Sequence, residues 1–457
     1  MKTLGRRGAI LLAVALLASC AGIRPRYVTD SETAAILSLP AAQFPAARFA
    51  VLSDPHLFQK SLETQGKAFA EHLAEDRKLL VESEEILQAA VHKVKDMHPQ
   101  FLLVPGDLTK DGELQDHELF VKYLRELRDS GIQAYVVPGN HDIFNPRAFR
   151  YGASGTERVA NVSPEEFAGL YRDFGYGDAL SRDPDSLSYV AQPVPGLWLL
   201  ALDACDYRGN PGRSLSETGG RLTGQTVEWM EGVLSRAARE GIAVVAMMHH
   251  GALEHFKGQE KFYGSYLVKD WRNVSALLAA YHVRTIFTGH FHAQDITLKR
   301  WEGGRYLYDV ETGSLVTDPN PVRSVEIDAE QRMTIRSSFI TELPSFAAAG
   351  RDFQTYSREY LREGIRSIAA RLLKRYLVPT EEAALLSRQI SEAFAAHFEG
   401  DEKFTGVEKL KRKGLSLTGS LVISARGDLV EGMWDDLEPA DNNVDIDLST
   451  GAWREVK

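Results

Sequence analysis

The sequence predicts an α/β layered protein with a smaller, mainly helical C-terminal part. Three observations carry this. Short continuous apolar runs alternate with longer amphipathic stretches, each run ends in a cluster of polar residues, and beyond Leu343-Pro344 the pattern turns helical. Apolar runs of this kind fit strands buried on both faces. Strands alternating with helices build layered α/β folds, whose sites gather outside the carboxyl ends of the strands.

The first nineteen residues are set apart as an export signal. Lys2, Arg6 and Arg7 precede an apolar run over residues 9–18 that ends in small residues. The run is about half the ~20 residues needed to span a bilayer, so a removable signal is expected over a permanent membrane helix. Residues 20–47, rich in Ala, Pro and small polar residues, are expected to form a tether. Leu17-Ala18-Ser19-Cys20 resembles the lipobox of bacterial lipoproteins. That resemblance implies cleavage before Cys20, lipid on Cys20, and an extracytoplasmic protein held at a membrane by that anchor, stably so if two or three acyl chains are added.

Residues 48–343 are expected to be the main domain. Phe49-Ala50-Val51-Leu52 leads to Ser53-Asp54, Phe101-Leu102-Leu103-Val104 to Gly106-Asp107, and Ala134-Tyr135-Val136-Val137 to Gly139-Asn140-His141-Asp142. Residues 197–202 lead to Asp203, residues 243–248 to His249-His250, and residues 284–288 to Gly289-His290-Phe291-His292. Helices are expected near residues 70–97, 113–129, 223–239 and 274–281. Residues 344–457 are expected to form a mainly helical domain: Leu361, Ile365, Ile368, Leu372, Leu373, Tyr376 and Leu377 recur at three- and four-residue spacing until Pro379, and Leu386, Ile390, Phe394 and Phe398 make a second stripe. Its protein partner, if it has one, is not legible.

The net charge of -10 argues against a broad basic surface for a nucleic-acid polymer. An anionic substrate must therefore be attracted locally. Once Cys20 is set aside only Cys205 remains, so the mature chain has no internal disulfide and depends on packing.

The polar clusters supply a metal-binding set. Asp54 and His56 stand at i and i+2 just after a strand, where an extended backbone would aim both side chains the same way. Asp107 follows the next strand, and a carboxylate can bridge two metals. Asn140 offers a neutral carbonyl oxygen, His249 follows a buried strand, and His290 and His292 repeat the i, i+2 spacing. Two carboxylates, one amide oxygen and four imidazoles suit Mn, Fe or Zn better than Mg or Ca.

Asp54-x-His56, Gly106-Asp107, Gly139-Asn140-His141-Asp142, His249 and Gly289-His290-x-His292 resemble, in order, the five blocks of the calcineurin-like metallophosphoesterases, over about residues 49–312. The stretches around Gly106-Asp107 and Gly289-His290 look closest to the bacterial branch that includes class III cyclic-nucleotide phosphodiesterases. The resemblance implies a four-layer α/β/β/α sandwich and two divalent ions. One would be held by Asp54, His56, Asp107 and His292, the other by Asp107, Asn140, His249 and His290. Lys110-Asp111-Gly112 stands where the protein Ser/Thr phosphatases carry Asp-Arg-Gly, and Lys110 where purple acid phosphatases carry Tyr, so both branches are disfavoured.

Two divalent ions outweigh two ligand carboxylates, which leaves the pocket positive and ready for a small phosphoester. Ions about 3.5–4 Å apart can share a water and lower its pKa. His141, next to a ligand, is the candidate general acid, with Asp142 or Asp111 available to orient it. Candidate substrate contacts are Thr109, His250 and Arg208, the last in a loop over residues 207–221 that also holds Arg213. Phosphodiesters such as cyclic nucleotides are expected, on the resemblance; the alternatives are a phosphomonoesterase or nucleotidase, or a non-catalytic lipid-anchored interaction module. His72, His92, His98, His117, His255, His282 and His397 are expected at solvated positions, and Asp441, Asn443, Asp445 and Asp447 in a solvated acidic turn, because Ile446 and Ala452 take the places a calcium loop needs for Gly and Glu.

Overall fold

Three of the apolar runs become the parallel strands β1 (Ala47–Val51), β2 (Phe101–Val104) and β3 (Gln133–Val136). The computed structural model describes residues 31–456 apart from 65, 75, 154 and 403–408. A hairpin follows, β4 (Phe149–Gly152) with β5 (Gly155–Arg158). The chain then lays down β6 (Ser181–Arg182), β7 (Tyr189–Val194), β8 (Leu197–Leu202), β9 (Ala243–Met248), β10 (Thr285–Thr288), β11 (Asp295–Trp301) and β12 (Arg305–Glu311). It closes with β13 (Pro321–Ile327), β14 (Arg332–Phe339), β15 (Asn443–Asp447) and β16 (Trp453–Glu455).

These strands make two seven-stranded sheets, ordered β16-β15-β14-β13-β1-β2-β3 and β11-β12-β10-β9-β8-β7-β6. The first sheet is therefore begun before the second is laid down and finished after it. The sheets meet face to face: the Phe49 ring of β1 stacks on Phe101 of β2 at 4.7 Å and meets Phe287 of β10 edge-on at 5.3 Å. Burying side chains of this size stabilises by about 1.5–3 kcal/mol each.

Helices cover the outer faces. Ser83–Met97 packs on β13 and Leu114–Asp129 on β3, while Gly224–Glu240 packs on β9 and Trp271–Ala280 on β12. The arrangement is the four-layer α/β/β/α sandwich. Each helix follows its pattern: Ser83–Met97 buries Ile86, Leu87, Ala90, Val91 and Val94 along one stripe. Gly224–Glu240 starts where the Thr223 hydroxyl accepts from the Thr226 N–H and stops at Gly241 in a left-handed conformation.

The helix expected over residues 70–97 is broken in two, Lys67–Leu73 and Ser83–Met97. Asp76 explains the break. Its Oδ1 accepts from the N–H groups of Arg77 and Lys78, at 2.7 and 3.1 Å, which offers the backbone a turn in place of helix. The Leu79 N–H then donates to Val316 O at 2.8 Å, pinning the loop to the core.

Beyond Leu343 lie the helices Phe353–Arg375, Thr380–Glu399 and Leu417–Gly432. Leu361, Ile365, Leu373, Leu386 and Phe398 pack with Phe256 and Phe291 of the sandwich in a second core. Residues 344–457 are thus mainly helical as expected, and they also carry β15, which pairs with β14 within the compact unit of residues 41–457. The strand pattern of β15 was hidden by its acidic residues. In the expected tether a helix spans Ser31–Leu37. Cys20 and the export signal lie outside the described residues, among which no helix is long and apolar enough to cross a membrane.

Candidate metal centre

The candidate ligands sit where the strands of both sheets end, and their backbones are unusual. Asp54, His56, Asp107, His290 and His292 have φ of 49°, 37°, 49°, 77° and 73°. The i, i+2 pairs thus converge through left-handed turns, not through the extended backbone expected from their spacing. A residue with a side chain held there costs of order 1–3 kcal/mol and persists when its surroundings fix it. Here the Leu52 N–H donates to Leu103 O, the Asp54 N–H to Gly106 O and the His56 N–H to Asp107 O, lacing the first two loops together. The His290 N–H donates to the Asp54 carboxylate, at 3.2 Å to Oδ2, and joins the two sheets.

The side chains fall into two groups that share one residue. Donor atoms of Asp54, His56, Asp107 and His292 lie within 4.8 Å of one another, and so do those of Asp107, His249 and His290. Oδ2 of Asp107 is 3.5 Å from Nε2 of His56 and 3.4 Å from Nε2 of His249. The Asn140 amide oxygen is 3.2 Å from that same His249 nitrogen. All seven predicted ligands are therefore brought together.

The donor chemistry fits divalent ions. Nε2 of His56 and Nε2 of His292 face each other at 3.1 Å, and Oδ1 of Asp54 is 3.4 Å from the latter. Burial holds His56 and His290 well below the usual imidazole range and lowers His292 as well. These rings present lone pairs, the form that binds metal. Burial would raise Asp107, but His249, His141 and His56 outweigh it and hold the carboxylate well below its usual range. The same pairing, against burial, pushes His249 up to about 9. Two ligand groups joined at Asp107 make this a candidate dinuclear metal site.

His141 stands beside this centre, about a quarter of its side chain exposed, with its N–H donating to Asp107 Oδ1 at 2.9 Å. Its Nδ1 is 2.9 Å from Asp111 Oδ1 and 2.7 Å from Lys110 O. Asp111, not Asp142, orients the ring. Asp142 instead accepts from the backbone N–H groups of Leu108, Thr109 and Gly139, tying two ligand loops together. Asp111 pairs with buried Lys110, whose Nζ also lies 3.1 Å from Glu113 and above the rings of Phe58 and Tyr151. Burial opposes a raised pKa at His141, but Asp107 and Asp111 prevail and push it up.

The substrate contacts expected from sequence need correcting. Thr109 is buried, with its hydroxyl donating to Asp142 and accepting from the Gly112 N–H, so it braces a loop. His250 is fully buried, its Nε2 facing Thr218 O at 3.0 Å and its ring 4.4 Å from that of His290, so it supports a ligand. Arg208 is exposed, pairs with Asp185 and lines a different depression beside Cys205. Arg213 is exposed as well and pairs with Glu217. Cys205 is part-buried, its thiol pushed up by burial, which disfavours it as a nucleophile.

What sequence reasoning missed is the broken helix. Asp76, Arg77 and Lys78 line the cleft with His141, Thr218 and Tyr266. The signal was an Asp followed by two cations inside an otherwise amphipathic stretch. Three histidines expected at solvated positions, His117, His255 and His397, are fully buried, because each has polar partners inside the fold: His117 meets Tyr171 and Asp142 O, and the other two meet carboxylates. The predicted acidic turn also fails, since Asp441 is buried and residues 443–447 are a strand.

A four-layer α/β sandwich with two metal groups joined by one carboxylate defines a dinuclear metallohydrolase. The sequence profile of the calcineurin-like phosphoesterases matches residues 47–294, and the chain belongs to that family. No curated protein matches it. Among solved structures it is similar to a dimetal phosphatase from Danio rerio, at 16% identity and a TM-score of 0.46, over 65% of this chain and 97% of that one. It is also similar to the purple acid phosphatase PPD1 from yellow lupin (Lupinus luteus) seeds, at 12% identity and 0.38, over 66% and 52%. A third is the sulfate thiohydrolase SoxB of Thermus thermophilus, at 15% identity and 0.32, over 72% and 61%.

Proposed function

We propose that this protein hydrolyses phosphodiesters, cyclic nucleotides among them, outside the cytoplasm, held at a membrane by lipid on Cys20. The observation that carries the hydrolytic reading is Asp107 Oδ2, placed 3.5 Å from His56 and 3.4 Å from His249 so that one carboxylate serves both metal groups. Two divalent ions there would supply positive charge and a water of lowered pKa. The mixed nitrogen and oxygen donors favour Mn, Fe or Zn.

The chain's own residues do the rest. Asp111 takes Nδ1 of His141, which leaves Nε2 to give a proton to the leaving oxygen. Arg77 and Lys78 are the cations of the cleft wall and the candidates to meet non-bridging phosphate oxygens, Lys78 from its pairing with Asp76 at 3.4 Å. The diester preference rests on the resemblance of residues 106–112 and 289–295 to the cyclic-nucleotide branch. The anchor rests on Lys2, Arg6, Arg7 and the apolar run that ends at Cys20.

A phosphomonoesterase is the second reading, favoured by Arg77 and Lys78, since two cations suit a dianionic terminal phosphate. The test is hydrolysis of an activated diester and the matching monoester by lipid-free protein starting at Arg24, with Mn²⁺ and with Asp107→Asn as control. Diester turnover lost in the control supports the proposal. Monoester-only turnover replaces it with the second reading.

A further inference from the structure

A second set of ionisable side chains lies apart from the dinuclear centre, where the end of helix Thr380–Glu399 meets the start of β11. Donor atoms of Asp295, His397 and Glu402 lie within 4.8 Å of one another, as do those of Glu402, Asp436 and Asp441, so Glu402 belongs to both groups. Nδ1 of His397 is 2.7 Å from Glu402 Oε1 and 3.8 Å from Asp295 Oδ2. His397, Asp295, Glu402 and Asp441 are buried, and Asp436 is exposed, which leaves an approach from solvent.

The buried charges here do not balance. His255 answers one side of the cluster, with Nδ1 at 2.7 Å from Asp295 Oδ1 and Nε2 at 3.3 and 3.4 Å from Asp309 and Glu311. Arg323 spends its guanidinium on the carbonyls of Glu311 and Asp441. His397 faces Asp295 Oδ2 and Glu402, while the Asp441 carboxylate accepts from the N–H groups of Ile296 and Asp401. A second observation points to a missing partner: Oε2 of Glu402, on a residue 8% exposed, has no hydrogen-bond partner among the described residues. Unpaired carboxylates inside a protein are costly unless protonated or bound to a cation.

We infer that Asp295, His397, Glu402 and Asp441, with Asp436 at the mouth, bind a third divalent ion. One imidazole among carboxylates suits Zn²⁺ or Mn²⁺ over Ca²⁺. The ion is structural, because its ligands are buried and the cluster is walled by the rings of Phe256 and Phe291 against His397. It ties the C-terminal helices to Asp295, three residues past His292. Close by, the Gln294 N–H already donates to Phe398 O at 3.2 Å.

The experiment uses the full lipid-free chain with the dinuclear centre disabled by His56→Ala and His249→Ala, dialysed against Zn²⁺ or Mn²⁺ and passed over a desalting column. Metal analysis is expected to find about one ion per chain, with a melting temperature that rises on metal addition and falls on chelation. Adding Glu402→Gln, which keeps the side chain's shape, is expected to remove both the ion and the metal-dependent rise while far-UV circular dichroism stays unchanged. Absence of any ion, or an ion retained unchanged with Glu402→Gln, overturns the inference. Should the disabled chain fail to fold, the wild-type count of three ions against two for Glu402→Gln decides the question in the same way.

Discussion

Nδ1 of His141 lies 2.9 Å from Oδ1 of Asp111, and Asp111 is itself held by the buried ammonium of Lys110. The carboxylates raise the pKa of His141, so its protonated form, the one a general acid needs, survives to higher pH. Replacing Asp111 by Asn removes one of these carboxylates and lowers that pKa. The alkaline limb of the kcat profile is expected to move to lower pH, read from initial rates across pH 5–10, a range set about the ordinary histidine pKa of ~6.5. An unmoved limb would assign the limb to another group.

His141→Ala is expected to lower kcat by about 10²–10⁴-fold, the usual contribution of a positioned proton donor. Its backbone N–H still donates to Asp107, so both ions should stay bound. Metal analysis alongside kinetics separates this from a ligand's role.

Arg77→Ala and Lys78→Ala are each expected to lower kcat/KM by ~10–100-fold, equivalent to losing a charged hydrogen bond of about 1.5–3 kcal/mol. Metal content should not change, since a protonated guanidinium or ammonium has no lone pair to offer a metal. If the monoester loses more than the diester, the cations serve the extra charge.

Gly139→Ala tests the crossing of the ligand loops. A Cβ there would sit 2.1 Å from Asp107 Oδ1 and 2.2 Å from its backbone nitrogen, inside any allowed contact. The carboxylate shared by both groups would have to move. We expect depleted metal and a lowered melting temperature, read by metal analysis and thermal unfolding; a fully loaded variant of native stability would show that the loops can part.

The strands that end at candidate ligands were legible because burial on both faces makes them continuous apolar runs, and β2 and β9 fall where the runs predict them. The seven candidate ligands that the fold brings together were legible because metal binding needs particular donors at strand ends. What escaped was set by distant partners. The loop that Asp76 opens is held in place by Val316, β15 hides its pattern under acidic residues that pair with β14, and His255 and His397 look like surface residues until the carboxylates around them are seen in space.

The return of β15 and β16 to the first sheet gives the chain's end a protective task. β14 carries the apolar Met333 and Ile335, and β15 occupies the backbone groups along its outer side. A chain shortened by residues 443–457 would present that side as a bare template for other chains. Aggregation, before any loss of catalytic chemistry, is then the first symptom to expect from premature termination or terminal proteolysis. A fusion tag that obstructs β16 carries the same risk.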